Sequence, residues 1–122
     1  MADNEAKIQE MKDIVSAFAK ERDWEQFHNP KDLGVALGIE VSELMEHFRF
    51  KSNEEIEDLF KDAEKKKEVA YELADIFHMI LRISEVCKID LSEALKEKMV
   101  EARKKYPVEL VKGKPHKYTH YK

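Results

Sequence analysis

One cysteine, three glycines and three prolines are all that this 122-residue chain holds of the residues that staple, turn or break a backbone. The lone Cys87 excludes an internal disulfide and a thiolate metal cluster, and its apolar neighbours mark it as a core residue of a protein from a reducing compartment. So few Gly and Pro leave too few turns for a many-stranded β-protein, so helices are expected almost throughout. No apolar run approaches the roughly 20 residues of a membrane span, and Met1 to Glu10 has no apolar signal segment, so the chain reads as cytoplasmic with no membrane partner. An excess of either charge is also missing. Lys and Arg number 22 against 26 Asp and Glu, a net charge of -4, which gives no bulk attraction to duplex nucleic acid. What is present suffices for one domain: 43% hydrophobic residues can bury a modest core.

From Asn4 to Arg22 the residues Ile8, Met11, Ile14 or Val15, and Phe18 recur at three- and four-residue steps, the pattern of an amphipathic helix. An aromatic loop, Asp23 to Pro30, follows, with Asn29 placed to cap and Pro30 to open a second helix running to about Arg49. Its expected buried side is Leu33, Ala36, Leu37, Ile39 and Leu44. Ser52-Asn-Glu-Glu55 reads as a capping box that starts a third helical region near Asn53. From Val69 to Cys87 this region is apolar on nearly every side, so it must be surrounded. Four helices of this length cannot enclose one of their own, which implies that a second copy covers the remaining face. Asp90-Leu-Ser-Glu93 caps a fourth helix that Pro107 stops, and residues 107–122 show no periodicity and are expected to be irregular.

Two carboxylate pairs stand out. Glu40-x-x-Glu43 and Glu72-x-x-Asp75 each place both acids on one helix face. Either pair alone reads equally well as a solvated helix side. Their company argues otherwise: Glu40 lies in the stripe of Ala36, Leu37 and Leu44, and Glu72 and Asp75 interrupt an apolar helix. Charges so placed are costly unless something pairs with them, and four facing carboxylates repel unless a hard divalent cation sits among them, magnesium being the usual ion for oxygen ligands that share it with phosphates.

Glu40-Val-Ser-Glu43, then 28 residues, then Glu72-Leu-Ala-Asp75 resembles the signature of the all-α nucleoside triphosphate pyrophosphohydrolases, the MazG-like superfamily. Phe18 to Pro30, with its Trp24-Glu-Gln-Phe27-His28 block, is similar to the N-terminal segment of the dCTP pyrophosphatase branch. Lys98-Met99, Tyr106-Pro107 and Lys117-Tyr-Thr119 are similar to its C-terminal segments. The resemblance implies an all-α, four-helix MazG-like bundle over residues 1–106, completed as a homodimer or as a homotetramer of two dimers. It further implies Mg2+, with Mn2+ as substitute, held by Glu40, Glu43, Glu72 and Asp75, and conversion of dCTP or a related deoxynucleoside triphosphate to monophosphate and pyrophosphate in nucleotide-pool sanitation. One acid of the cluster must take the proton of the attacking water, and Glu43 is the candidate, although the sequence does not choose among the acids. Trp24, Phe27, His28 and Phe50 are the candidates for base contact, and Lys51, Lys98, Arg103, Lys105 and Tyr106 for the rest of the substrate. Where that branch carries an asparagine four residues after the lysine and a tyrosine four after the aspartate, this chain has Ala102 and Met79, which implies a base range broader than cytosine alone.

Two other readings compete. Glu25-x-x-His28 and Asp75-x-x-His78 have the spacing of di-iron helical bundles, although Glu25 sits in a loop. A helical dimerisation module, with Arg103, Lys104 and Lys105 meeting an acidic partner, would explain the apolar helix but not the acids embedded in it.

Overall fold

The protein is described by a computed structural model over residues 1–115. The order of elements is α1 (Ile8–Glu21), a single 3-10 turn (Glu25–Phe27), α2 (Pro30–Glu46), α3 (Asn53–Leu59), α4 (Ala63–Cys87), α5 (Leu91–Lys105) and α6 (Val108–Val111), with no strand among the described residues. They fall into two compact units, Met1–Lys88 and a second from Ile89 onward.

In the first unit, α1 buries Lys12, Val15 and Ala19 at helical spacing. Asp23 then turns the chain in the left-handed region at φ 54°, while the Trp24 amide returns to the Ala19 carbonyl at 2.9 Å. Asn29 caps α2 by accepting from the Asp32 amide at 2.8 Å, with Pro30 at the first helical position. The Ser52 capping box is complete, with both reciprocal bonds at 3.2 Å. The third helical region does not run on uninterrupted. It stops after Leu59, and Asp62 restarts it by accepting from the amides of Glu64 and Lys65 at 2.9 and 3.2 Å.

The 25-residue α4 is the spine of this unit: α2 packs along it, and α1 packs against it less extensively. Val15, Ala19, Leu33, Leu59, Val69 and Leu81 form the buried core. Leu33 is buried as expected and Ala36, Leu37 and Leu44 are half-buried, whereas Ile39 faces solvent at 54% exposure. Cys87 is likewise exposed at the end of α4 rather than in the core.

In the second unit, the Asp90 side chain accepts from the Glu93 amide at 2.9 Å and starts α5, which carries Arg103, Lys104 and Lys105 in its last turn. Pro107 ends that helix and opens a further one: Val108–Val111 forms the short α6 in a segment expected to be irregular. Proline's fixed φ, here -59°, suits the residue that precedes a helical turn. The Lys117-Tyr-Thr119 segment lies outside the described residues.

Candidate metal centre

Packing α2 along α4 brings the two carboxylate pairs face to face. One oxygen from each of Glu40, Glu43, Glu72 and Asp75 lies within 4.8 Å of the others, Glu40 and Glu72 half-buried, Glu43 and Asp75 exposed. The inner pair is under strain. The Oε2 atoms of Glu40 and Glu72 are buried with no hydrogen-bond partner. Burial first, then the charge of Glu43, that of Asp75, a hydrogen bond with Glu43 and the charge of Glu72 push the Glu40 carboxyl above its ordinary value of 4.5. An apolar protein interior does not tolerate orphaned carboxylate oxygens, and a hard cation among four such oxygens removes both the orphaning and the repulsion. The donor set therefore fits an oxygen-loving divalent ion. Among the described residues no His or Cys joins this group, which departs from the His-containing set of a di-iron bundle. His47, at the C-cap of α2, stands 3.5 Å from Glu72 Oε1.

On the Asp75 side, one turn further along α4, lies an aromatic and histidine cluster. The Phe18 ring meets Trp24 and His78 edge-on, with centroids 5.7 and 5.8 Å apart, and the Arg22 guanidinium lies 3.9 Å over it. Arg82 is buried and donates from Nε to His28 Nδ1 at 2.8 Å and from Nη1 to Ser16 Oγ at 3.3 Å. Burial, then the charges of Arg82 and His78, hold His28 below its ordinary 6.5 against a smaller opposing pull from Glu25. His78 is held down by burial and Arg82, with Asp75 pulling the other way. On the Glu72 side a cleft of about 200 Å³ is lined by Glu46, His47, Lys51, Leu59, Lys65 and Glu68.

Of the candidates drawn from the sequence, the structure thus gathers the four acids, sets Lys51 in the cleft beside them, and ties His28 to α4 through Arg82. Trp24 is half-exposed against Phe18, and Phe27 is 63% exposed in the 3-10 turn. Phe50 is 90% exposed, in the left-handed region at φ 61°, with the Arg49 guanidinium 4.3 Å over its ring. Lys98, Arg103, Lys105 and Tyr106 belong to the second unit, where Lys98 pairs with Glu101 at 3.3 Å. Two residues escaped the sequence reading as site members. His47 follows Glu40 and Glu43 by seven and four residues, spacing that puts it on their face and was a usable signal. Arg82 interrupts the apolar stretch Val69 to Cys87, but its tie to His28 spans 54 residues and has no local signature.

An all-helical chain with a four-carboxylate claw defines a narrow class, and comparison with known proteins agrees. The MazG-like family model matches residues 35–120. Among curated relatives, the dCTP pyrophosphatase 1 of Bos taurus is 37% identical over 116 residues, covering 95% of this chain and 69% of the relative. That of Homo sapiens is 34% identical over 115 residues, covering 94% and 68%. The crystal structure of a pyrophosphatase from Archaeoglobus fulgidus superposes with a TM-score of 0.77 at 34% identity, covering 88% of this chain and 98% of that one. The chain belongs to the MazG-like family.

Proposed function

We propose that this chain hydrolyses a nucleoside triphosphate, dCTP or a related deoxynucleotide, to the monophosphate and pyrophosphate, with Mg2+ (or Mn2+ in its place) held by Glu40, Glu43, Glu72 and Asp75. The observation that carries this reading is the convergence of four acids with two buried, unpartnered oxygens, a set whose desolvation and mutual repulsion a divalent cation relieves. The relatives named as dCTP pyrophosphatases support the substrate class. When bound, the ion supplies charge stabilisation at phosphate oxygens. Glu43, exposed and with a longer side chain than the other exposed acid, Asp75, takes the proton of the water that attacks the α-phosphorus as the bond to the β-phosphate bridging oxygen breaks. Trp24, Phe27 and Phe50 offer aromatic faces to the base, and His28 an edge contact. Lys51 meets the phosphates from the first unit, and Lys98, Arg103, Lys105 and Tyr106 stand as substrate-contact candidates on the sequence resemblance alone. Residues 1–106 form the catalytic domain with 107–122 as an appendage, and the working unit is a cytoplasmic homodimer or pair of dimers, clearing surplus or modified deoxynucleotides. Among the described residues no helix is long and apolar enough to cross a membrane.

The test is pyrophosphate release from a panel of ribo- and deoxynucleoside triphosphates, with and without magnesium, for wild type, Glu43→Ala and Asp75→Ala. Metal-dependent turnover that falls by at least about a hundredfold in both variants supports the reading. A folded wild type that releases none, and whose melting temperature ignores magnesium, returns the chain to the interaction-module reading.

A further inference from the structure

Arg82 takes no part in the acid cluster, and its side chain contacts His28 and Ser16 instead. At 7% exposure it is one of the few buried charges, and its two hydrogen bonds go to neutral acceptors, His28 Nδ1 and Ser16 Oγ, rather than to a carboxylate. A guanidinium offers only donors and keeps its proton in a protein. The His28 nitrogen that faces it therefore presents a lone pair. A neutral imidazole has a single N–H, so that hydrogen resides on Nε2. His28 makes no other side-chain hydrogen bond among the described residues, and this N–H is the donor that its ring would offer a ligand. The same corner holds the edge-on Phe18–Trp24 pair, and His78 links it to the metal centre, standing one helical turn beyond Asp75.

We propose that Arg82 is a positioning residue that fixes His28 as a neutral Nε2–H donor, and that this donor reads an acceptor lone pair on the edge of a nucleobase lying beside Trp24. The chemistry selected is an unprotonated ring nitrogen or a carbonyl oxygen at that point of the base, as cytosine N3 or O2 provides. The proposal rests on the nucleotide reading above, but its structural half is testable without turnover.

Imidazole nitrogen NMR of the wild-type protein at neutral pH is expected to show His28 with an unprotonated Nδ1 and a protonated Nε2. A protonated Nδ1, as the other tautomer or as imidazolium, overturns the proposal whatever the enzyme does. In Arg82→Met the signals move to a mixture of tautomers, and in Arg82→Lys, which keeps a donor, the wild-type pattern returns. In kinetics, Arg82→Met and His28→Phe each lower kcat/KM for the preferred triphosphate about tenfold, chiefly through KM, relative to deoxyribose triphosphate lacking a base, and Arg82→Lys recovers most of the loss. An unchanged ratio in both variants sinks the base-reading role. If Arg82→Met loses its helical circular dichroism, the wild-type spectrum and Arg82→Lys decide. A wild type that turns over nothing fails the parent reading and takes the base contact with it, while the tautomer still reports whether Arg82 holds His28.

Discussion

Replacing Glu40 with glutamine removes a charge that burial and three neighbouring carboxylates already oppose. A carboxyl whose folded pKa is raised binds more protons folded than unfolded, so the stability it contributes is present below the ordinary 4.5 and is lost as the pH rises through the folded value. Metal-free wild type should therefore fall behind Glu40→Gln as the pH climbs above that point, by roughly 1 kcal/mol at neutrality, or about 4 °C of melting temperature. Saturating magnesium reverses the order, since only the wild type keeps the full donor set and gains about 2.7 kcal/mol at a hundredfold excess over Kd. Paired melts across pH, with and without metal, check both signs. A variant less stable than wild type in the absence of metal would mean that the cluster is not strained. Phe50 poses the opposite case: a non-glycine residue held at φ 61° with its ring almost wholly in solvent adds little to any core. Phe50→Ala should leave the melting temperature within about 2 °C while raising KM about fivefold, the low end of what a stacked base contributes. An unmoved KM removes Phe50 from the substrate contacts.

At the scale of elements, Asp62 decides where the spine begins. Its side chain holds two of the free amides of α4, so Asp62→Ala should cost about 1 kcal/mol and lower the melting temperature by about 4 °C. Glu72 sits ten residues, about 15 Å, further along, so calorimetric magnesium affinity should stay unchanged; a large loss would show that fraying at the cap reaches the acids. The sequence held this signal, yet Lys61, Ala63, Glu64 and Lys65 are all good helix formers, and nothing like glycine or proline announces the break. The carboxylate pairs were legible because three-residue spacing fixes a face. Which turn of α2 meets which turn of α4 was not, since periodicity gives direction around a helix and says nothing of register along it. Ile39 was misplaced for a related reason: with Leu33 and Leu37 on one side and Val35 and Ile39 on another, α2 is apolar twice over, and its phase cannot be read from the pattern alone.

For the whole molecule, the first unit leaves too much apolar surface in water. Leu73, Phe77 and Ile80 of α4 are 53%, 39% and 36% exposed, and their spacing of four and three residues makes them one stripe. Val35 and Ile39 of α2 add 58% and 54% exposed side chains. The all-round apolar character of α4 is satisfied on one side by α2 and α1 and left open on the other, as a helix at a subunit interface would be. A self-pairing of this face predicts that sedimentation equilibrium finds at least twice the 14.4 kDa chain mass and that the melting temperature rises with protein concentration. Leu73→Glu tests it cleanly, because a carboxylate at a half-exposed position is tolerated in a lone chain but must be desolvated against a second copy. The variant should sediment as a monomer, with a melting temperature independent of concentration, and lose most pyrophosphate release although all four acids remain. A wild type that sediments as a monomer at tens of micromolar while turning over normally would leave the exposed stripe without a role in assembly, and the four acids of a single chain would then suffice for the site.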